Sequence, residues 1–169
     1  GVKSETIISC LKTNYYNGYL YALDSTYLEL CPENLSVDIN TKTLISVSNT
    51  TDIINIPTFT KTINKNSLNN NNKVITINSG DLIEFSESAF CNDTNLVNIN
   101  DIDTNLTKVF KTVYSYEFSN CASLTNIKLN SSVVKIPDHA FYNCSQLNQD
   151  ILNKANSIAD IGKYSFSNC

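Results

Sequence analysis

A chain of 169 residues, 41% hydrophobic and 17% charged, is long enough to bury one real core. It has no apolar run near the roughly 20 residues that a membrane-spanning helix needs, and Gly1-Val2-Lys3 does not read as the start of a secretory signal. A net charge of −4 without any cluster of Lys or Arg leaves nothing to track a phosphate backbone, so nucleic acid is excluded as an expected partner.

Residues 1–43 differ in character from the rest. Tyr15, Tyr16, Tyr19, Tyr21 and Tyr27 crowd a short span, Asn17-Gly18 is a two-residue hairpin signal, and YLYALDSTYLELCP alternates around a turn at Asp24-Ser25. The pattern predicts an N-terminal β-hairpin cap over the open end of whatever follows, because an uncovered sheet end is an aggregation edge. The tyrosines also suit a ligand-stacking platform. Cys10 and Cys31 flank the hairpin and would staple it in an oxidising compartment.

From residue 44 onward the chain is a repeat. Phe90, Phe118, Phe141 and Phe166 are equivalent anchors separated by 28, 23 and 25 residues, periods that belong to a solenoid. Five residues before each stand Phe85, Val113, Ile136 and Ile161; eight before stand Leu82, Phe110, Val133 and Ile158. Six residues after the anchor come Leu96, Leu124 and Leu147, and nine after come Ile99 and Ile127, with Ile151 slipped by one. A degenerate earlier copy places Leu68 at the anchor, with Ile63, Val74 and Ile77 around it, and Ile53 and Ile56 open the array. The array breaks off inside a repeat at Cys169, so a longer array is expected.

Each unit of this length makes one coil and cannot bury its apolar residues alone; stacking turns the same positions into continuous columns. The L-x-x-I segments, as in LTNIKL, read as short strands of a parallel sheet, and the V-x-x-I segments as the opposite wall. The residue before each strand isoleucine then points outward, giving a column Asn55, Thr76, Asn98 and Asn126 with Gln149 as a fifth member; two residues on come Asn78, Asn100 and Lys128. These seven, Gln149 aside, are the candidate ligand-binding residues, since amide side chains can bond peptide backbone or sugar hydroxyls. They can equally bond along the ladder to one another and to water.

The frame L-x-x-I followed by V-x-x-I-x-x-x-A-F-x-N-C, best matched by VVKIPDHAFYNCSQL and IADIGKYSFSNC, resembles the BspA-like, or spirochaete-type, leucine-rich repeat family over residues 44–169. The first copies depart from it: Leu68 replaces Phe, Asn71 and Asp93 stand where Cys is expected, and Cys91 lies two places earlier. The resemblance implies a β-rich leucine-rich-repeat solenoid, and a surface protein of bacteria or parasitic protists that attaches to host matrix or to other cells.

No motif of catalysis stands beside the repeat. Cys121, Cys144 and Cys169 all follow the anchor by three residues, and side chains stacked in parallel do not aim their sulfurs at each other, so a column of reduced thiols is expected rather than disulfides. Neither C-x-x-C nor a Cys/His pairing supports zinc. His139, the only histidine, reads as a surface or packing residue. Asp101, Asp103, Glu84 and Glu87 read as scattered, solvated carboxylates. Asparagine richness, densest at Asn69–Asn72, reads as compositional bias, and it generates the sequons at Asn34, Asn49, Asn92, Asn105, Asn130 and Asn143. The expected function is therefore a non-enzymatic, cofactor-free binding module on a cell surface or secreted, taking a protein or glycan ligand. The other reading is an intracellular scaffold.

Overall fold

The computed structural model describes residues 19–23, 28–32, 35–38, 41–47, 52–56, 60–71, 76–79, 85–101, 107–153 and 157–169. Cys10, Tyr15, Tyr16, Tyr27, Val74, Leu82, Glu84, Asp103, both expected turns of the first hairpin and the sequons at Asn34, Asn49 and Asn105 lie outside these residues.

Strands β1 (Tyr19–Leu23) and β2 (Leu28–Pro32) pair antiparallel, with Tyr19 opposite Pro32 and Leu23 opposite Leu28. A second antiparallel pair follows, β3 (Leu35–Asp38) with β4 (Thr43–Val47). Its turn is held by the Thr41 N–H donating to Asp38 Oδ1 at 3.0 Å, and Lys42 takes a left-handed φ of 56°. Strand β4 then pairs in parallel with β6 (Thr62–Ile63), Leu44 beside Ile63. This is where antiparallel pairing gives way to the parallel stack.

The first wall of the solenoid is the parallel sheet β5 (Ile53–Asn55), β7 (Thr76–Ser79) and β8 (Asn98–Asp101). Ile54, Ile77 and Ile99 align across it, all buried. The register corrects the expectation for the first coil. Asn55 stands beside Asn78 and Asn100, while Ile53, 54% exposed, stands beside Thr76 and Asn98. The shift is two residues, so it leaves inward and outward faces unchanged; Ile54 and Ile56 are both buried, and alternation alone cannot tell the two registers apart.

A second correction concerns Asn126 and Lys128. The coil between Phe90 and Phe118 is the longest, and part of its extra length returns along β8. Thr107 forms an antiparallel bridge to Asn100, and the Lys108 N–H donates to the Ile99 carbonyl at 2.9 Å. The next residues, β9 (Val109–Phe110), pair in parallel with β10 (Lys128–Leu129). The inserted segment thus occupies the edge of β8 that Asn126 and Lys128 were expected to extend.

The opposite wall contains β11 (Lys135–Ile136) and β12 (Asp160–Ile161), again parallel. A single helical turn, α1 (Asp150–Asn153), carries Ile151 into the core. No helix among the described residues is long and apolar enough to cross a membrane. Between the walls the apolar columns pack into one core: Leu68, Phe90, Phe118 and Phe141 are buried, with Phe85, Val113 and Ile136, with Phe110 and Val133, and with Leu96 and Leu124. The anchor rings stack face to face, with centroids 5.2, 5.1 and 5.3 Å apart from Phe90 through Phe166. Gly162 lies against the preceding coil: a Cβ there would lie 2.5 Å from the Asp138 nitrogen and 2.7 Å from the Pro137 carbonyl carbon.

Candidate ligand-binding surfaces

The sheet face presents Asn55, Asn78 and Asn100 in one row and Thr76 and Asn98 in the next. Asn55 is exposed and the other four are half-buried. The Asn78 amide donates to Asn55 Oδ1 at 2.7 Å, so part of this row bonds along the ladder. Asn126 and Lys128 are exposed beyond the inserted strand, where they line a separate cavity of about 430 Å³ with Val109, Leu129 and Asp150. Gln149 is exposed.

The turns around the anchors form a second surface. Two residues before each anchor stand Asn66, Ser88, Tyr116, His139 and Tyr164, and two after stand Asn70, Asn92, Asn120, Asn143 and Asn168; all ten have φ between 56° and 65°. Left-handed backbone suits asparagine, whose short side chain can bond locally, and is adopted more readily by histidine than by most residues, but a tyrosine there is an outlier costing roughly 1–2 kcal/mol. The asparagines make a ladder: Asn92 donates to Asn70 at 3.1 Å, Asn120 to Asn92 at 2.6 Å and Asn143 to Asn120 at 3.1 Å. The aromatic residues make a column, His139 stacking on Tyr116 with centroids 4.6 Å and rings 7° apart and lying 5.2 Å from Tyr164 at a tilt of 38°.

A groove of about 500 Å³ runs between the two columns. Its lining includes Cys91 and Ser119, which follow their anchors directly, and the larger Tyr142 stands at the equivalent place one coil on. The Tyr142 ring lies 5.7 Å from His139 at 58°. His139 Nδ1 is buried and meets no hydrogen-bond partner among the described residues.

Comparison with known proteins fits this geometry. The BspA type leucine rich repeat region (6 copies) matches residues 31–116 and 111–169. The chain belongs to that family. A leucine-rich repeat protein from Bacteroides ovatus shares its fold, with a TM-score of 0.56 at 20% identity over 91% of this chain. Another, from Eubacterium ventriosum, aligns over 90% of the chain with a TM-score of 0.48 at 19% identity. This chain spans 38% and 50% of those two proteins. No curated protein matches it.

Within the BspA-type frame the cysteine position has a defined task. Cys121 Sγ donates to the Phe90 carbonyl, Cys144 Sγ to that of Phe118 and Cys169 Sγ to that of Phe141, each at 3.0 Å. The thiols tie coil to coil without a covalent bond; Cys91, Cys121, Cys144 and Cys169 are all free. Burial pushes the Cys144 thiol up to about 12 and that of Cys121 well above its usual range, so neither is a nucleophile. One coil earlier the position holds Asp93, whose Oδ1 accepts from the Asn71 N–H at 2.5 Å while Oδ2 is buried with no hydrogen-bond partner among the described residues. Burial raises this carboxyl to about 8.

Glu117 is a second departure from the BspA-type frame. The residue before the anchor is Ser67, Ala89, Ala140 and Ser165 in the other coils, yet here a glutamate fills it, fully buried. Its Oε2 accepts from the Tyr114 N–H at 2.8 Å, Oε1 has no hydrogen-bond partner among the described residues, and burial raises the carboxyl to about 8.

The aromatic column, the amide ladder, the burial of Asp93 and the whole of Glu117 do not follow from the apolar positions alone. The same alignment held the signal for all of them, because asparagine recurs two places after every anchor and Glu117 stands in a column of small residues. The ladder also bears on two sequons: the amide nitrogens of Asn92 and Asn143, which a glycan would occupy, are already donating within it. Asn130 differs, its Oδ1 capping the Ser132 N–H at 2.9 Å in a turn.

Proposed function

We propose that this chain is a non-enzymatic recognition module of a cell-surface or secreted protein, binding protein or glycan ligands, such as host matrix or another cell, through its repeat surface. The observation that carries this reading is the set of polar side chains held in register on the outer sheet face, Asn55–Asn78–Asn100 and Thr76–Asn98, above the buried isoleucine row. A rigid backbone repeats the same donors and acceptors coil after coil, the condition for recognising an extended partner without reordering. Membership of the BspA-type family supports a binding role, and the resemblance drawn from the sequence supports a surface location. In this reading residues 1–43 cap the array and residues 44–169 carry it.

The free thiols Cys91, Cys121 and Cys144 favour a second reading, an intracellular scaffold. Thiol titration and glycan mass on protein from its native source separate the two.

The binding reading makes a specific prediction on immobilised extracellular-matrix proteins and glycans. Replacing Asn98 and Asn100 together by alanine weakens capture, whereas the fold changes by no more than about 0.5 kcal/mol per site. Asn126 and Lys128, separated by the inserted strand, are tested as their own pair. Unchanged capture by both pairs removes the sheet face as the ligand surface.

A further inference from the structure

We propose that the groove between the aromatic and amide columns is a binding site for a neutral oligosaccharide chain, with Tyr142 and Tyr164 as the ring-stacking residues and Asn92 and Asn120 as the hydroxyl-bonding ones. The proposal rests on the binding-module reading and names a ligand class and a site distinct from the sheet face.

Four observations lead here. Among the described residues no carboxylate, lysine or arginine lines the groove, which disfavours an ionic ligand. Asn92 and Asn120 each use one N–H and one oxygen lone pair on their ladder neighbours; the second N–H and lone pair are left for a ligand that offers donors and acceptors together, as vicinal hydroxyls do. Tyr164 is 63% exposed and Tyr142 is tilted out of the stack, so both offer ring faces to the apolar side of a sugar. His139 Nδ1 adds a buried nitrogen with no partner.

Backbone strain supplies an independent argument. Tyr116 and Tyr164 each hold φ of 56° at positions where Asn66 and Ser88 serve in the earlier coils, while His139, a residue type that accepts this backbone more readily, holds 57°. The core does not need these rings, since Tyr116 and Tyr164 are exposed. A costly side chain kept at an exposed, strained position points to a role in recognition.

A peptide strand is the competing occupant, and the hydrogen bonding disfavours it. Strand addition requires a free backbone edge. Here the N–H groups of His139, Asn120 and Asn143 already donate to the next coil at 3.0, 2.8 and 2.8 Å. What the groove leaves open is side-chain chemistry, repeated once per coil, which suits a chain of linked sugar rings.

Because His139 is the only histidine, its ring carbon–proton resonances report on the groove without assignment of the rest of the chain. Cello-, chito-, manno- and maltohexaose are titrated to roughly 10 mM, where a Kd of 1 mM gives about nine-tenths saturation. At least one is expected to shift the His139 signals saturably. Tyr142→Ser installs the residue found at the equivalent places 119 and 167, and it is expected to weaken binding at least tenfold with an unchanged melting temperature. The double variant Tyr116→Asn, Tyr164→Asn relieves the left-handed strain, so it should melt no lower and also lose binding; if it fails to fold, Tyr142→Ser decides. Absence of a saturable shift with every hexasaccharide overturns the proposal, as does wild-type affinity in Tyr142→Ser. The Asn98, Asn100 double alanine variant must bind the sugar normally. Loss there with binding intact in the groove variant moves the site to the sheet face and leaves the recognition-module reading standing.

Discussion

Replacing Phe141 by alanine is expected to destabilise the chain by about 3–5 kcal/mol, read as a lower urea midpoint. The ring is fully buried and stacked on both sides, 5.1 Å from Phe118 and 5.3 Å from Phe166. Truncation opens a cavity between coils that cannot collapse, because the Phe141 N–H and the flanking turns stay bonded to the next coil, the former to the Ser165 carbonyl at 2.8 Å. Both neighbouring rings lose a stacking face, and such pairs add roughly 0.5–1.5 kcal/mol beyond area burial. Cys144→Ser is the internal comparison. A serine hydroxyl retains the ability to donate to the Phe118 carbonyl that the thiol now uses, so its cost should be well below that of Phe141→Ala. Equal midpoint shifts would mean that the thiol, not the ring stack, carries the contact between these coils.

That stack was legible in the sequence because an interior column must be apolar in every coil, and the four anchors meet that demand at a nearly constant period. Pairing was less legible. A two-residue slip at Ile54 and Ile56 keeps every side chain on its own face, so periodicity fixes the face and leaves the register of Asn55 open. The displacement of Lys128 depended on where the extra residues of the longest coil went, and polar residues 107 and 108 carry no burial signal that marks them as pairing with β8. The turn surface was hidden for a different reason. Tyr116, His139 and Tyr164 share a position through their backbone conformation, φ near +56°, and composition varies freely where backbone geometry is the common constraint. Glu117 illustrates the same limit: nothing in the glutamate itself marks it as buried, and only the small residues at the same place in the neighbouring coils show that its slot faces inward.

Glu117 and Asp93 together should reverse the usual dependence of stability on pH. Among the described residues both carboxyls are buried without salt-bridge partners, and burial raises them from 4.5 and 3.8 to about 8. An acid that holds its proton more tightly when folded than when unfolded contributes most below the unfolded value. Between about pH 4 and pH 8 the folded state binds the extra protons, so unfolding free energy falls as pH rises through that window and levels off above it. Shifts of this size correspond to an effect on the order of several kcal/mol. Exposed ion pairs such as Lys65–Glu87 and Lys135–Asp160 cannot offset it, since pairs of that kind contribute little. Urea midpoints should therefore be clearly higher at pH 5 than at pH 8.5. Two substitutions assign the effect to its sources. Glu117→Gln keeps the shape, removes the titration and should flatten part of the slope. Asp93→Cys places a thiol where Cys121, Cys144 and Cys169 already bridge to the preceding coil; it should remove the other part and raise stability above pH 8. A midpoint that is flat from pH 5 to 8.5 in the unmodified chain would mean that both carboxylates ionise in place, with water reaching Asp93 Oδ2 and Glu117 Oε1.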